Sequence, residues 1–331
     1  MFFHVGLPKT GTTYLQTVLW SAAPRLRRAG LLLPGKGHRE HLWAALELQG
    51  RRLDRRDPRA KGAWSRLVRE ASDAEGAVLF THEFFSAAGK EPARRALAAF
   101  PRAEVHLIVT ARDAGSMLLS GWQEAVKNGS PVSLDELARG QPAGGSEFSW
   151  RTWGLHGVLK RWASTLPPER VHVLPVPERS EGPARLWENF ASVVGVEPDD
   201  YPPPEQAVNT TLGAVQVEVL RQVTRSLQGF SSPAHRGTWI RGYLAEGLLA
   251  QQSGDRAALS DEQFERCARR SERALQLVLK ERYDVVGNLD GLRPHEAARA
   301  GRRPETVSDA ERLTAASHLI GMMLSDIRDL S

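Results

Sequence analysis

Three short stretches of the 331-residue chain combine residue types that could hold an anion and move a proton. The first, Gly6-Leu7-Pro8-Lys9-Thr10-Gly11-Thr12-Thr13, joins an apolar run at residues 2–6 to a helical pattern carrying Leu15 and Val18. A strand, a glycine-containing turn and a helix amino terminus in that order aim unpaired backbone N–H groups and a positive dipole end at one point, and Lys9 adds a full charge. The chemistry is that of cradling a phosphate or its close analogue. It is not a Walker A loop, in which the Lys follows the second Gly and precedes a magnesium-holding Ser or Thr; here Lys9 precedes Gly11. The second stretch places Arg112 at the end of an apolar run and Ser120 eight residues on, with Trp122 two further. Ser120 lies about two helical turns along, so both side chains can meet at one phosphate only through the curvature of the intervening loop. The third, Val78-Leu79-Phe80-Thr81-His82-Glu83-Phe84, is a strand whose carboxyl end delivers two proton-transfer groups side by side. Neighbours on an extended chain point apart, so one of His82 and Glu83 faces the anion and the other supports it or faces away.

Pro8-Lys9-Thr10-Gly11-Thr12-Thr13 resembles the 5′-phosphosulfate loop of the sulfotransferases that use 3′-phosphoadenosine-5′-phosphosulfate, PAPS. Arg112 through Trp122 is similar to that family's 3′-phosphate motif, with Ala114 where the family often has Pro and Met117 where it often has Arg. The resemblance implies that the amides of Lys9, Thr10, Gly11, Thr12 and Thr13 hold the 5′-phosphosulfate. Lys9 then faces the bridging oxygen that leaves, and Arg112 and Ser120 hold the 3′-phosphate. Cytosolic members place a catalytic His after a strand and a Thr, as Thr81-His82 does, whereas many carbohydrate-directed and bacterial members use a Glu at the comparable strand end, as Glu83 would. The implied activity moves a sulfuryl group from PAPS to a hydroxyl or amine of a carbohydrate, lipid or small-molecule acceptor, releasing PAP without a metal. The likeness covers residues 1 to about 290. Asn209-Thr210-Thr211-Leu212 and the phrase from Tyr283 to Leu289 add recurrent wording without chemistry, and Arg236-Gly237 is the nearest counterpart of a late Arg-Lys-Gly loop over the 3′-phosphate. The rival readings are a nucleotide-dependent kinase and a non-catalytic nucleotide or nucleic-acid binder.

The elements that must position these residues are short apolar strands alternating with longer helical patterns, which build a parallel sheet through crossover helices. Strands are expected at 2–6, 77–81, 105–110 and 171–176, with a weaker fifth at 31–33, giving an α/β fold, P-loop nucleotide-hydrolase-like, with a mostly helical carboxyl half. Leu15, Val18, Leu19 and Ala22 form one helical face, and Leu186, Phe190, Val193 and Val194 another before Gly195 as a stop. Ser260 with Gln263, and Ser308 with Glu311, read as capping boxes. The first opens a helix with Phe264, Cys267, Ser271, Leu275 and Val278 on its stripe; the second opens a final amphipathic helix carrying Leu313, Leu319, Ile320, Met323 and Leu324. Residues 1–300 are expected to form one domain, and 301–331 a polar linker and a helix packed on that domain or on a partner, with a homo-oligomer as one outcome.

Composition narrows the classes further. At 41% hydrophobic and 25% charged residues the chain is ordinary globular protein, and it has no apolar run of the roughly 18 residues needed to cross a bilayer. With one cysteine, Cys267, it can make neither an internal disulfide nor a Cys-based zinc site, which suits a cytoplasmic protein. The net charge of +5 is matched by the excess between Arg51 and Glu70 alone, 8 basic against 3 acidic residues, where only Trp64 interleaves with the arginines. A solvated basic helix is therefore expected there rather than a nucleic-acid surface. His38 and His41 have the spacing of a metal pair but no third ligand nearby, and are expected to be surface histidines near an acceptor cleft.

Overall fold

The computed structural model describes residues 1–51, 57–141, 149–178, 180–204, 211–230 and 232–330. Part of the basic stretch and Asn209-Thr210 lie outside the described residues. The chain divides into two compact units: the first holds residues 1–113, 150–206 and 270–293, and the second 114–149, 207–269 and 294–331.

The first unit is built on a six-stranded parallel sheet. Its strands are β1 (Phe2–His4), β2 (Leu31–Leu32), β3 (Ala77–Thr81), β4 (His106–Ala111), β5 (Val171–Pro175) and β6 (Asp284–Val285). They lie in the order β2-β3-β1-β4-β5-β6, so the chain runs out to one side of β1 and then to the other, and β1 is paired with both β3 and β4. Ligands of such sheets bind where the strand order reverses, beyond the carboxyl ends of the strands. β6 exceeds the five strands expected from sequence: two residues, Asp284 and Val285, give no alternation or length to recognise, and only pairing with His172 and Val173 makes them a strand.

Burial on both faces explains why these strands read as continuous apolar runs. On one face Phe3 stacks on Phe80 at 4.9 Å and meets Phe85, Phe100, Trp162 and Trp64. Trp64 is thus occupied in this aromatic layer rather than standing among the arginines. The other face carries Leu79, Ile108 and Leu174 against Leu15, Val18 and Leu19 of the helix α1 (Thr12–Ser21) and against Leu186 and Phe190 of the helix Ala184–Val194, which ends at Gly195 as expected.

The second unit contains the helices Ala114–Lys127, Ala214–Ser226 and Asp309–Asp329, with a π-helix over Arg236–Leu248. Both expected capping boxes form: the Ser260 amide donates to the Gln263 side chain, and the Ser308 and Glu311 pair is reciprocal. Trp122 is fully buried, with its indole N–H donating to the Val132 carbonyl. Among the described residues, no helix is long and apolar enough to cross a membrane.

Candidate functional site

β1 stops at His4 rather than at residue 6, because Gly6 turns to φ +27. The ladder nevertheless continues alongside β4, with the Val5 amide bonded to the Ile108 carbonyl and the Leu7 amide to the Thr110 carbonyl, both at 3.0 Å. A side chain at Gly6 would meet Thr12, His4 and Thr110, so glycine is required there by space as well as by conformation. Lys9 and Gly11 then both take left-handed backbone, at φ 68 and φ 81. Lys9 is one of two non-glycine residues with positive φ among those described, and for a residue with a Cβ this conformation costs on the order of 1–3 kcal/mol. Gly11 is the N-cap of α1; no side chain caps that helix and its first turn carries no acidic residue, so its leading amides remain directed at the loop's hollow. Thr10 and Thr12 are buried, while Lys9 and Thr13 are exposed.

The loop rests on a chain of hydroxyls and one imidazole whose direction can be worked out from its end. The Thr10 hydroxyl donates to the Leu7 carbonyl at 2.5 Å, and a carbonyl can only accept. With that proton spent, the 2.7 Å contact between Thr10 and Thr110 requires Thr110 to donate. Thr110 in turn must accept, so the His4 Nε2 atom 3.3 Å away carries the proton, and His4 Nδ1 accepts from the Thr81 hydroxyl at 2.8 Å. His4, Thr10, Thr81 and Thr110 are all fully buried. Burial pushes His4 down to about 3, with Glu83 opposing that shift and His82 adding to it, so His4 stays neutral with its tautomer fixed. Neither His4 nor Thr110 was singled out from the sequence, although a polar residue inside an apolar strand is the available signal, and Thr81 was noted only as the neighbour of His82.

At the end of β3, His82 and Glu83 divide their roles. His82 is buried and its Nδ1 accepts the Phe84 amide at 3.0 Å, capping the short turn Glu83–Ala87. That lone pair is committed, and Nε2 carries the proton of the neutral ring. Burial holds the His82 pKa below its ordinary value, against the pull of Glu83. The Glu83 carboxylate lies 3.6 Å from His82 Nδ1 and accepts from Gln16 of α1 at 2.9 Å. Burial works to raise the Glu83 pKa, but the adjacent His82 and hydrogen bonds from its own backbone and Gln16 bring it below the ordinary carboxylate value. Gln16 thus ties the helix that follows the loop at residues 6–13 to the carboxylate at the next strand end.

Arg112, at the end of β4, extends a guanidinium N–H toward the Lys9 carbonyl at 3.5 Å, placing a second cation at the loop. Ser120 belongs to the second unit, where its hydroxyl donates to the Ser116 and Met117 carbonyls of its own helix at 2.8 and 3.2 Å. Two expectations are corrected. His41 is not a surface residue: it is fully buried, its Nδ1 accepts the Thr81 amide at 3.0 Å and its Nε2 donates to the Pro34 carbonyl at 2.7 Å. Helical periodicity turned it inward while His38 stayed exposed, its ring parallel to His82 at 6.5 Å. Arg236-Gly237 is not a loop but the first turn of the π-helix. Among the described residues no cluster of three His, Cys, Asp or Glu side chains is placed to hold a metal ion.

No family model matches the chain, and no curated protein matches it in sequence. Among solved structures the chain is similar to a sulfotransferase from Alicyclobacillus acidocaldarius, at 20% identity and a TM-score of 0.46 over 74% of this chain and 97% of that one. At that distance, what the site does must be argued from the loop and the strand ends themselves.

Proposed function

We propose that the chain is a PAPS-dependent sulfotransferase acting on a hydroxyl or amine of a carbohydrate, lipid or small-molecule acceptor. The observation that carries this is the loop at residues 6–13: left-handed Lys9 and Gly11, uncapped amides at the start of α1 and the Arg112 guanidinium over the Lys9 carbonyl, with a carboxylate at the neighbouring strand end. These residues fit an anionic donor, since alternating backbone handedness turns successive N–H groups toward one concavity. PAPS supplies an activated sulfuryl group on a phosphate oxygen.

In-line transfer to an acceptor leaves negative charge on that phosphate oxygen and a proton to be removed from the nucleophile. Lys9 and the amides of Thr10, Gly11, Thr12 and Thr13 meet the growing charge, which is the larger part of the catalysis in such displacements. Glu83 takes the proton. The alternative base, His82, has its only lone pair engaged by the Phe84 amide, so it acts as a positioning residue beside Glu83. Arg112 binds the 3′-phosphate in this account.

The test is thermal unfolding with PAP, in EDTA, against ATP with magnesium. PAP alone should raise the melting temperature by mass action, and Arg112→Ala should weaken PAPS strongly while barely changing adenosine 5′-phosphosulfate, which lacks the 3′-phosphate. Stabilisation by ATP and magnesium with indifference to PAP would overturn the assignment.

A further inference from the structure

Seven large hydrophobic side chains are strongly exposed among the described residues, and five of them, Leu313, Ile320, Leu324, Ile327 and Leu330, lie along the helix Asp309–Asp329 and its C-cap. Their exposures run from 57% to 89%. The helix is anchored on its opposite side, where Ala315 and Leu319 are buried and Asp326 accepts from the Tyr243 hydroxyl. Leu313, Ala316, Ile320, Met323, Ile327 and Leu330 alternate at three and four residues, which is the seam of a paired helix rather than the scatter of ordinary surface leucines. Trp239, half exposed, stands edge-on to Tyr243 at 5.9 Å.

We infer that this face is covered by the same helix of a second copy of the chain, packed antiparallel about a two-fold axis between residues 318 and 319. An axis there sets Leu313 opposite Leu324 of the other copy, Ser317 opposite Ile320, Ile327 opposite Ala310, and Ala316 opposite Gly321. Small residues at the crossing let the helices approach closely. Asp309 and Arg328, both exposed and separated by about 28 Å along the helix, then face each other twice. Parallel pairing would instead set Asp309 against Asp309 and Arg328 against Arg328. Five such side chains present on the order of 500 Å² of apolar surface, and a two-fold contact removes on the order of 1,000 Å² in total, enough for a specific interface. Gly321 fits this arrangement, because an added Cβ there meets nothing within its own chain. A lipid surface is the poorer match: the helix has two arginines against four acidic residues, and no Lys or Arg between Leu313 and Ser325.

Sedimentation and light scattering of the full chain across a micromolar concentration series should show a dimer. Leu324→Glu should shift it to monomer, and Gly321→Glu should do so without lowering the melting temperature of the monomer, because the position is open and Glu is the better helix former. Asp309→Arg and Arg328→Asp should each weaken the dimer, and together restore it. A wild-type monomer throughout the series, a dimer indifferent to Leu324→Glu and Gly321→Glu, or a charge exchange that fails to restore pairing would each overturn the inference. So would capture of the wild-type monomer by phosphatidylcholine–phosphatidylserine vesicles in a flotation assay. PAP-induced stabilisation should survive in all four variants, which separates this result from the fate of the sulfotransferase assignment.

Discussion

The two ends of the sheet each gather histidines, and they use them in opposite ways. At the carboxyl edge His4, His41 and His82 are buried, and each has its tautomer assigned by an identifiable backbone or hydroxyl partner. At the amino edge His106, His172 and Asp284 form a cross-strand ladder, with His106 Nδ1 at 2.9 Å from His172 Nε2 and His172 Nδ1 at 2.7 Å from Asp284. There the carboxylate is about half exposed and His106 is partly exposed, while His172 between them is buried. Neutral, fixed imidazoles hold other things in place, whereas the ladder is a partly solvated surface feature. The contrast teaches that at the carboxyl edge the charges are carried by Lys9, Arg112 and Glu83, with the histidines as their supports.

The largest effect that would sharpen this contrast is at Glu83. Glu83→Gln should lower single-turnover transfer to an identified acceptor by about 100-fold to 10,000-fold while PAP still stabilises the protein. His82→Ala should cost less, since it removes a neighbour of the base and the cap of a short turn. Because the Glu83 carboxyl is held below its ordinary value, the acid limb of the wild-type rate profile should fall below pH 4.5. A larger loss from His82→Ala than from Glu83→Gln would reverse the two roles.

How much of this was legible in the sequence depends on what makes each residue visible. The loop 6–13 and the strand-end pair were legible because glycine, Lys and adjacent acid–base groups carry local signals, and four of the six strands announce themselves as apolar runs. His4 and Thr110 were hidden because their function is relational: a His in one strand and a Thr a hundred residues away meet only when β1 and β4 pair. His41 was misjudged for the same reason, since nothing local says that its two nitrogens will find Thr81 and Pro34. β6 is too short for any pattern, and the π-helix at Arg236 follows no period that sequence reading looks for.

Acid titration should expose the supports next. Burial first, against hydrogen bonds to Pro34 and Thr81, takes His41 down to about 4, as it takes His4 down to about 3, from an ordinary value of 6.5. Depressed folded values mean that the unfolded chain binds these protons first, so stability is unaffected above pH 6.5 and falls as pH drops below it. Each histidine contributes about 1.4 kcal/mol of loss per pH unit until its folded value is reached. Urea unfolding between pH 7 and pH 4 should show this slope, and His4→Asn should make it shallower whatever it does to stability at pH 7. An unchanged slope would mean that His4 is not held neutral.

Thr110→Val removes the middle of the hydroxyl chain, leaving the His4 Nε2 proton without its acceptor and Thr10 without its donor. The expected loss is about 1–3 kcal/mol by urea unfolding, with weaker PAP binding because Thr10 and Leu7 belong to the loop. Loss of stability with PAP affinity intact would uncouple the chain from the loop.

The smallest effect is expected at the other end of the sheet. Asp284 accepts from His172 Nδ1, which leaves His172 Nε2 as the acceptor for His106 when both rings are neutral. Asp284→Asn keeps an oxygen to accept that same proton and removes only a charge that water partly screens. With its carboxylate about half exposed, such a pair is worth on the order of 1 kcal/mol. Burial, followed by His172 and the nearby amino terminus and Arg170, holds His106 below its ordinary value, with no contribution from Asp284. Asp284→Asn should therefore change unfolding free energy by less than Thr110→Val does and leave both PAP stabilisation and transfer at wild-type levels. A loss equal to that of Thr110→Val would mean that the amino edge is as tightly built as the carboxyl edge, and the division between the buried supporting histidines and the partly solvated ladder would fail.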